Sequence, residues 1–307
     1  MVDPAYVEAE AAFAHSVGLT EYEDQVVELP TLGCAVRVGE AGSGQPVLFV
    51  PGVNTTGMVF AELVAKMPNF RCIMVDRPGT GGSSLPTPPP TSHVAIETFA
   101  DTWLPALMDT LGIDEAAVVS TSLGGWTAFR AAAAQPQRFT KLFGFGFQIG
   151  ARLERAPLVL RTPAPKPWML PSRVKISRGL LRRSLGWFGM KNVLANGRFG
   201  EPMLAWIQAL FRYTDTYKNE VLYAPRLADI SGPCEATRHD HALLAKVTTP
   251  VHLFWGAADV WAGERSAREF ADALPNATLQ MVPGAGHAPW LDEPELAIEA
   301  LLTHLSQ

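Results

Sequence analysis

Ala116-Ala117-Val118-Val119-Ser120-Thr121-Ser122-Leu123-Gly124, continued by Gly125-Trp126-Thr127-Ala128-Phe129-Arg130-Ala131-Ala132-Ala133-Ala134, is the stretch that decides the fold. A short apolar run, then small-x-Ser-x-small, then an alanine-rich helical run describes a buried strand turning sharply into a helix. A serine in such a turn is forced to positive φ, so only small side chains fit two residues to either side, here Ser120 and Gly124. The turn lifts the Ser122 hydroxyl clear of the sheet. It also puts the backbone N–H of Leu123, in the first turn of the helix, beside any oxygen that becomes negative during attack. Ser122 is therefore the candidate nucleophile. Serine-rich stretches with a glycine also arise by chance, so the surrounding chain has to decide.

Four further strand-and-loop units accompany the serine in order. Pro46-Val47-Leu48-Phe49-Val50 leads into Pro51-Gly52-Val53-Asn54, a buried strand ending in a loop whose Gly52 allows close backbone approach. Phe70 to Val75 leads into Asp76-Arg77-Pro78-Gly79-Thr80-Gly81-Gly82-Ser83-Ser84. That turn has neither a Gly-Lys-Ser/Thr ending nor Gly-x-Gly-x-x-Gly spacing, so it reads as structural and not as a nucleotide loop. Val251-His252-Leu253-Phe254-Trp255-Gly256-Ala257-Ala258-Asp259 brings a carboxylate to the carboxyl end of a strand, the edge where open α/β sheets build their sites. Ala277 to Val282 with Pro283-Gly284-Ala285-Gly286-His287 then lets two glycines fold an imidazole back over the sheet.

With these landmarks in this order, the chain resembles the α/β-hydrolase family over nearly its whole length. The resemblance implies a mostly parallel sheet flanked by helices, with Ser122, Asp259 and His287 as a catalytic triad in the chain order that this fold uses. It also implies an oxyanion hole made by the backbone N–H groups of Val53 and Leu123. Pro51 stands where the family usually has histidine, which keeps the donor but leaves open what supports the loop. Serine chemistry gives the roles: His287 takes the Ser122 proton during attack and returns it to the leaving group, and Asp259 fixes the imidazole tautomer. Relatives that use an elbow aspartate, haloalkane dehalogenases and epoxide hydrolases, are excluded by Ser122.

The alternation of strand and helix predicts a helix from about Asp3 to Val17, an edge hairpin near 25–29 and 34–38, a helix over 95–111, and strands at 116–119 and 141–147. From about Gln148 to Thr237 the pattern lapses, with helical segments at 179–188 and 201–217. The expected organisation is a hydrolase core in two parts, 1–147 and 238–307, interrupted by a helical cap at 148–237. Between Ala151 and Gly200 lie eleven basic residues and one acid, Glu154, in a chain of net charge −5. A solvated lid face accounts for them; alternatives are an arginine holding an anionic substrate group, or weak contact with anionic lipid. Trp168, Trp187 and Trp206, with Phe188, Met190, Phe211 and Tyr213, are expected to pack the cap or line a pocket. Asp76 is a further acid able to stand near the site.

The remaining histidines, His15, His93, His252 and His304, read as packed or solvated, and His239-Asp240-His241 is short of ligands for a metal. No metal or cofactor is expected. The 307 residues, 48% apolar, suit one large core, and no run of about 20 apolar residues could span a bilayer. Cys34, Cys72 and Cys234 are widely spaced, and Met1 to Glu10 lacks a basic and an apolar segment, so reduced thiols and a cytoplasmic location are expected. Net acidity without a binding motif argues against nucleic acid. The expected activity is hydrolysis of a mid-sized, largely apolar small-molecule ester through an acyl-serine. Carbon–carbon bond hydrolysis, cofactor-free perhydrolysis on the same triad, and a non-enzymatic ligand-binding role are the alternatives. The oligomeric state is left open.

Overall fold

A computed structural model describes residues 2–154, 173–220, 228–229, 232–233 and 238–307. Its centre is an eight-stranded sheet of β1 (Glu23–Leu29), β2 (Cys34–Ala41), β3 (Gln45–Val50), β4 (Phe70–Val75), β5 (Ala116–Ser122), β6 (Phe139–Gln148), β9 (Val251–Gly256) and β10 (Ala277–Val282). Their spatial order is β1-β2-β4-β3-β5-β6-β9-β10. The β1–β2 and β2–β4 pairs are antiparallel, and every later pair is parallel.

The strands read as unbroken apolar runs because both faces are covered. Val47 and Phe49 of β3 point into one hydrophobic cluster, with α1 (Pro4–Ser16), α2 (Ala61–Val64) and α12 (Pro294–Ser306). Leu48 and Val50 point into the other, with α3 (His93–Thr110), α4 (Leu123–Ala134) and α10 (Glu264–Asp272). Parallel pairing thus brings the loops after β3, β5, β6, β9 and β10 to one edge of the sheet.

Several boundaries move from their expected places for identifiable reasons. Strand β5 runs on to Ser122, because Ser120 and Thr121 still pair with Gly144 and Phe145 of β6. Helix α3 starts at His93, where the Ser92 hydroxyl accepts from the N–H of Ala95 at 3.1 Å. The helix expected over 201–217 breaks at Thr214, which is extended, and whose hydroxyl donates back to the Leu210 carbonyl at 2.6 Å. It leaves α7 (Glu201–Tyr213) followed by a separate helical turn, α8, at 216–220.

Between β6 and β9 also lie α5 (Arg178–Trp187), α6 (Lys191–Ala195), a two-residue hairpin of β7 (Ala228–Asp229) and β8 (Gly232–Pro233), and α9 (His241–Leu244). Among the described residues, none between Gln148 and Val251 joins the large sheet. Helix α1 is capped by Asp3, whose carboxylate accepts from Ala5 N–H at 3.0 Å, and it packs on α7, with the rings of Phe13 and Trp206 stacked 4.9 Å apart. Cys34 and Cys72 are buried free thiols, and Cys234 lies outside the described residues. No helix among the described residues is long and apolar enough to cross a membrane.

Asp76 belongs to a buried charge network and does not join Asp259. Arg37 of β2 bonds to Glu10 of α1 at 2.5 Å, Asp24 of β1 at 2.7 Å and Asp76 at 3.3 Å, and the Tyr6 hydroxyl donates to Glu10. Burial pushes the Asp76 carboxyl up to about 7, with the adjacent Arg37 opposing the shift.

Candidate active site

Ser122 ends β5 with φ 52° and ψ −118°; with Asn54 it is one of two non-glycine residues at positive φ among the described residues. Such backbone costs about 1–3 kcal/mol and persists only where packing over-determines it. Here the packing is visible. A Cβ at Gly124 would fall on the carbonyl oxygens of Val50 and Pro51, and one at Gly52 would sit 3.0 Å from the Cβ of Ser122. The glycines let the loop after β3 lie directly against the turn after β5. Among the described residues, neither the N–H of Val53 nor that of Leu123 is spent in a hydrogen bond, which leaves two main-chain donors beside the serine.

Asp259 and His287 lie at the same edge. The sheet order β5-β6-β9-β10 sets Ser122, the end of β6, Asp259 and His287 side by side. Nδ1 of His287 donates to Oδ2 of Asp259 at 2.9 Å, and the Asp259 side chain is 0% exposed. The same Oδ2 accepts the N–H of Phe147 at 2.9 Å, and Oδ1 accepts the N–H of Trp261 at 3.0 Å. Three donors converge on one buried carboxylate, which fixes its orientation. The imidazole packs beside the rings of Trp261 and Phe147, at 5.8 and 6.5 Å. Its backbone N–H donates to Gly189 O at 3.2 Å, so the stretch between α5 and α6 rests on His287. The Ser122 hydroxyl makes no hydrogen bond to the His287 ring.

The support for the loop after β3 comes from residues that sequence reasoning passed over. Arg77 Nη2 donates to the Gly52 carbonyl at 2.8 Å and pairs with Glu220, whose Oε1 accepts the N–H of Asn54 at 3.3 Å. An arginine directly after the buried strand β4 was a visible signal. Nothing near Glu220 pointed to a partner 143 residues upstream.

A cavity of about 90 Å³ opens beside the start of α4. Its wall is Leu123 and Trp126 of α4, Ile96, Phe99 and Trp103 of α3, and prolines of the loop after β4, with Arg77 and Glu220 at one side. Among the described residues, the aromatic lining comes from α3 and α4. Trp206 is buried against Phe13, Trp187 is exposed beneath the Arg183 guanidinium, and Trp168 is outside the described residues.

The basic stretch also resolves into surface pairs. Arg178 and Arg182 bond to Glu201 at 2.6 and 3.3 Å, Arg198 lies 3.6 Å from Glu62, and Arg173 lies 3.8 Å from Asp3. Arg155, Arg161 and Lys166 lie outside the described residues. Among the described residues, Arg77 is the one base on the cavity wall.

His239 is buried, its ring stacked over Trp126 and against Phe270, and burial, helped by the Arg130 charge, pushes its pKa down to about 3. Among the described residues no three His, Cys, Asp or Glu side chains are grouped to hold a metal. His252 bonds to Thr278 at 2.8 Å, His304 packs edge-on to Phe143, and His93 lies 3.6 Å from Glu97.

Known proteins share this arrangement of strands. The chain is similar to a haloalkane dehalogenase of Mesorhizobium japonicum, 28% identical over 304 residues that cover 88% of this chain and 92% of that one. Among solved structures it is similar to the 2-hydroxy-6-oxo-6-phenylhexa-2,4-dienoate hydrolase of a Rhodococcus species, with a TM-score of 0.75 and 18% identity over 94% of this chain and 99% of that one. It is also similar to the naproxen esterase of Bacillus subtilis, with a TM-score of 0.71 and 15% identity over 99% of both chains. The model of the alpha/beta hydrolase family matches residues 47–300, from β3 into α12. The strained serine, the order of the sheet and that match lead to one conclusion: the chain belongs to the alpha/beta hydrolase family.

Proposed function

We propose that the protein is a serine hydrolase that cleaves a carboxylic ester of a mid-sized, largely apolar molecule. Ser122 is the nucleophile, His287 the base and then the acid, and Asp259 the group that holds the imidazole. The observation that carries this reading is the 2.9 Å bond from Nδ1 of His287 to buried Asp259, at the sheet edge where Ser122 is held at positive φ.

With Nδ1–H bound to the carboxylate, the proton sits on Nδ1 and leaves Nε2 as an acceptor. Nε2 takes the hydroxyl proton as Ser122 Oγ bonds to the ester carbon. Such links are often long before substrate binds, which fits the open contact between Ser122 and His287. The carbonyl oxygen becomes an oxyanion between the N–H groups of Val53 and Leu123, each such donor contributing about 3 kcal/mol to the transition state. The imidazolium then protonates the departing alcohol. Water, activated by the same imidazole, releases the acid from the acyl-serine.

The aromatic cavity beside Leu123 suits the apolar part of the substrate. The segment 148–237 is the cap in this scheme. No cofactor, metal or nucleic acid takes part, and the protein works in the cytoplasm. Ser122 argues against the displacement of halide by an elbow carboxylate, although a haloalkane dehalogenase is among the relatives.

The test is labelling with a fluorophosphonate probe together with hydrolysis of p-nitrophenyl esters of graded chain length. Wild type should label and turn over, and Ser122→Ala should do neither while keeping its melting temperature. A folded wild type inert to both probe and esters refutes the assignment.

A further inference from the structure

Val53 sits between two peptide planes, and a charged side chain grips each of them. Before it, Arg77 Nη2 donates to the Gly52 carbonyl at 2.8 Å. After it, the N–H of Asn54 donates to Glu220 Oε1 at 3.3 Å. Arg77 and Glu220 are paired with each other, their side chains 7% and 8% exposed.

The peptide unit is planar and trans, so the Gly52 C=O and the Val53 N–H are opposite ends of one rigid plate. Whatever fixes the carbonyl end aims the N–H end. The guanidinium does more than hold: a charged donor on the carbonyl draws electron density from the amide and makes its N–H a stronger donor. The next plate ends at the N–H of Asn54, whose φ of 56° is left-handed backbone that asparagine adopts more readily than most residues but that still gains from external constraint. The Glu220 carboxylate supplies that constraint and also neutralises Arg77 in a site that water hardly reaches.

We propose that Arg77 and Glu220 are positioning residues that aim the Val53 N–H at the oxyanion. The proposal rests on the reading of Ser122 as nucleophile. It makes the hydrolytic machinery depend on α8, which lies nearly 170 residues beyond the loop it supports. The dependence has further ties, since Asn219 Nδ2 donates to the Gly79 carbonyl at 2.8 Å and the Gly81 N–H donates to Thr216 Oγ1 at 2.9 Å. The pair also answers how the loop is held with Pro51 in place of a histidine.

A buried pair that only stabilises the fold would lower the melting temperature without a specific effect on the transition state. The experiment therefore compares Arg77→Met, Arg77→Lys and Glu220→Gln in the full chain. It measures kcat and KM on p-nitrophenyl butyrate, inhibition by an aryl trifluoromethyl ketone, and melting temperature. The ketone adds to Ser122 to give a tetrahedral oxyanion, so its affinity reports the donors, whereas KM reports ester binding.

Arg77→Met should lower kcat about 10- to 100-fold with KM nearly unchanged, and weaken the ketone by the same factor. Arg77→Lys should recover part of both. Glu220→Gln, which keeps an acceptor for Asn54, should lose less than Arg77→Met. If Arg77→Met does not fold, the paired loss of kcat and ketone affinity in the other two variants decides. The inference is overturned by unchanged kcat, by a change in KM alone, or by a kcat loss that ketone affinity does not follow. A wild type that fails with both fluorophosphonate and esters overturns the serine-hydrolase reading as well, so the two failures are distinct.

Discussion

Replacing Asp259 by asparagine preserves shape and changes hydrogen-bond polarity at one point. The carboxylate accepts three bonds: His287 Nδ1 and Phe147 N–H on Oδ2, and Trp261 N–H on Oδ1. An amide has one oxygen, so one of two orientations must be chosen. With the oxygen at the Oδ2 position, the NH2 faces the Trp261 N–H, one bond is lost and the imidazole keeps its working tautomer. With the oxygen at the Oδ1 position, the NH2 meets the Phe147 N–H and donates to His287 Nδ1. The ring must then carry its proton on Nε2, where it cannot accept from Ser122.

Each orientation sets one donor pair head to head, costing about 1–3 kcal/mol in a buried site, so neither is strongly preferred and much of the enzyme adopts the wrong tautomer. In the right tautomer, the imidazolium formed during attack still lacks its counter-charge. A loss of about 10²- to 10⁴-fold in kcat follows, equal to roughly 3–5 kcal/mol of barrier. The melting temperature should fall by a few degrees, as one buried donor goes unpaired. The assay is kcat on p-nitrophenyl butyrate at pH 8, alongside a thermal melt. A variant within tenfold of wild type would refute the role given to Asp259.

At the elbow, Gly124→Ala places a methyl group against the backbone oxygens of Val50 and Pro51, so expression and circular dichroism should show a protein that folds poorly. By contrast, no described residue lies within 4 Å of a Cβ at Gly179 in α5, and Gly179→Ala should raise the melting temperature, gaining about 0.5–1 kcal/mol. His304 carries a pH prediction: burial first, then the charges of His252 and Lys141, lowers its pKa from 6.5 to about 4. The unfolded chain then binds a proton between those values that the folded chain does not, so stability present above pH 6.5 is lost on acidification toward pH 4, by about 3 kcal/mol at most. Asp76, raised in the fold, acts in the opposite sense but equally in wild type and variant. His304→Phe should therefore show a flatter melting temperature between pH 6.5 and 4.5, and parallel curves would sink this account.

The fold was legible because doubly covered strands write themselves as unbroken apolar runs, as Val47 to Val50 and Ala116 to Val119 do. The placement of Ser122, Asp259 and His287 at one edge of the sheet was legible for a related reason, since each stands at a strand end where glycines mark an abrupt change of direction. Less legible was everything that depends on packing between distant segments. The Phe147 N–H on Asp259 is a backbone group with no sequence signature. The grip of Arg77 and Glu220 on the loop after β3 joins segments far apart in the chain. For the arginines between 151 and 200, sequence shows charge without showing neighbours, so a solvated face and a binding role both stayed open; the acids that pair with several of them, Glu62, Glu201 and Asp3, are scattered along the chain.

Helix α1 precedes the stretch matched by the family model, and it works as a strut. One anchorage is Glu10 on Arg37 of the sheet, and the other is Phe13 against Trp206 of α7. For α7 to swing outward, it must drag α1 along or pull the stacked rings apart and bare Trp206 to water, at a cost of about 3 kcal/mol or more. The α5–α6 stretch has a different attachment, beside the imidazole, where the Gly189 carbonyl accepts the His287 N–H at 3.2 Å. Under the proposed mechanism, any outward movement of this stretch would also loosen His287, so the proton acceptor is only as steady as the segment laid over it.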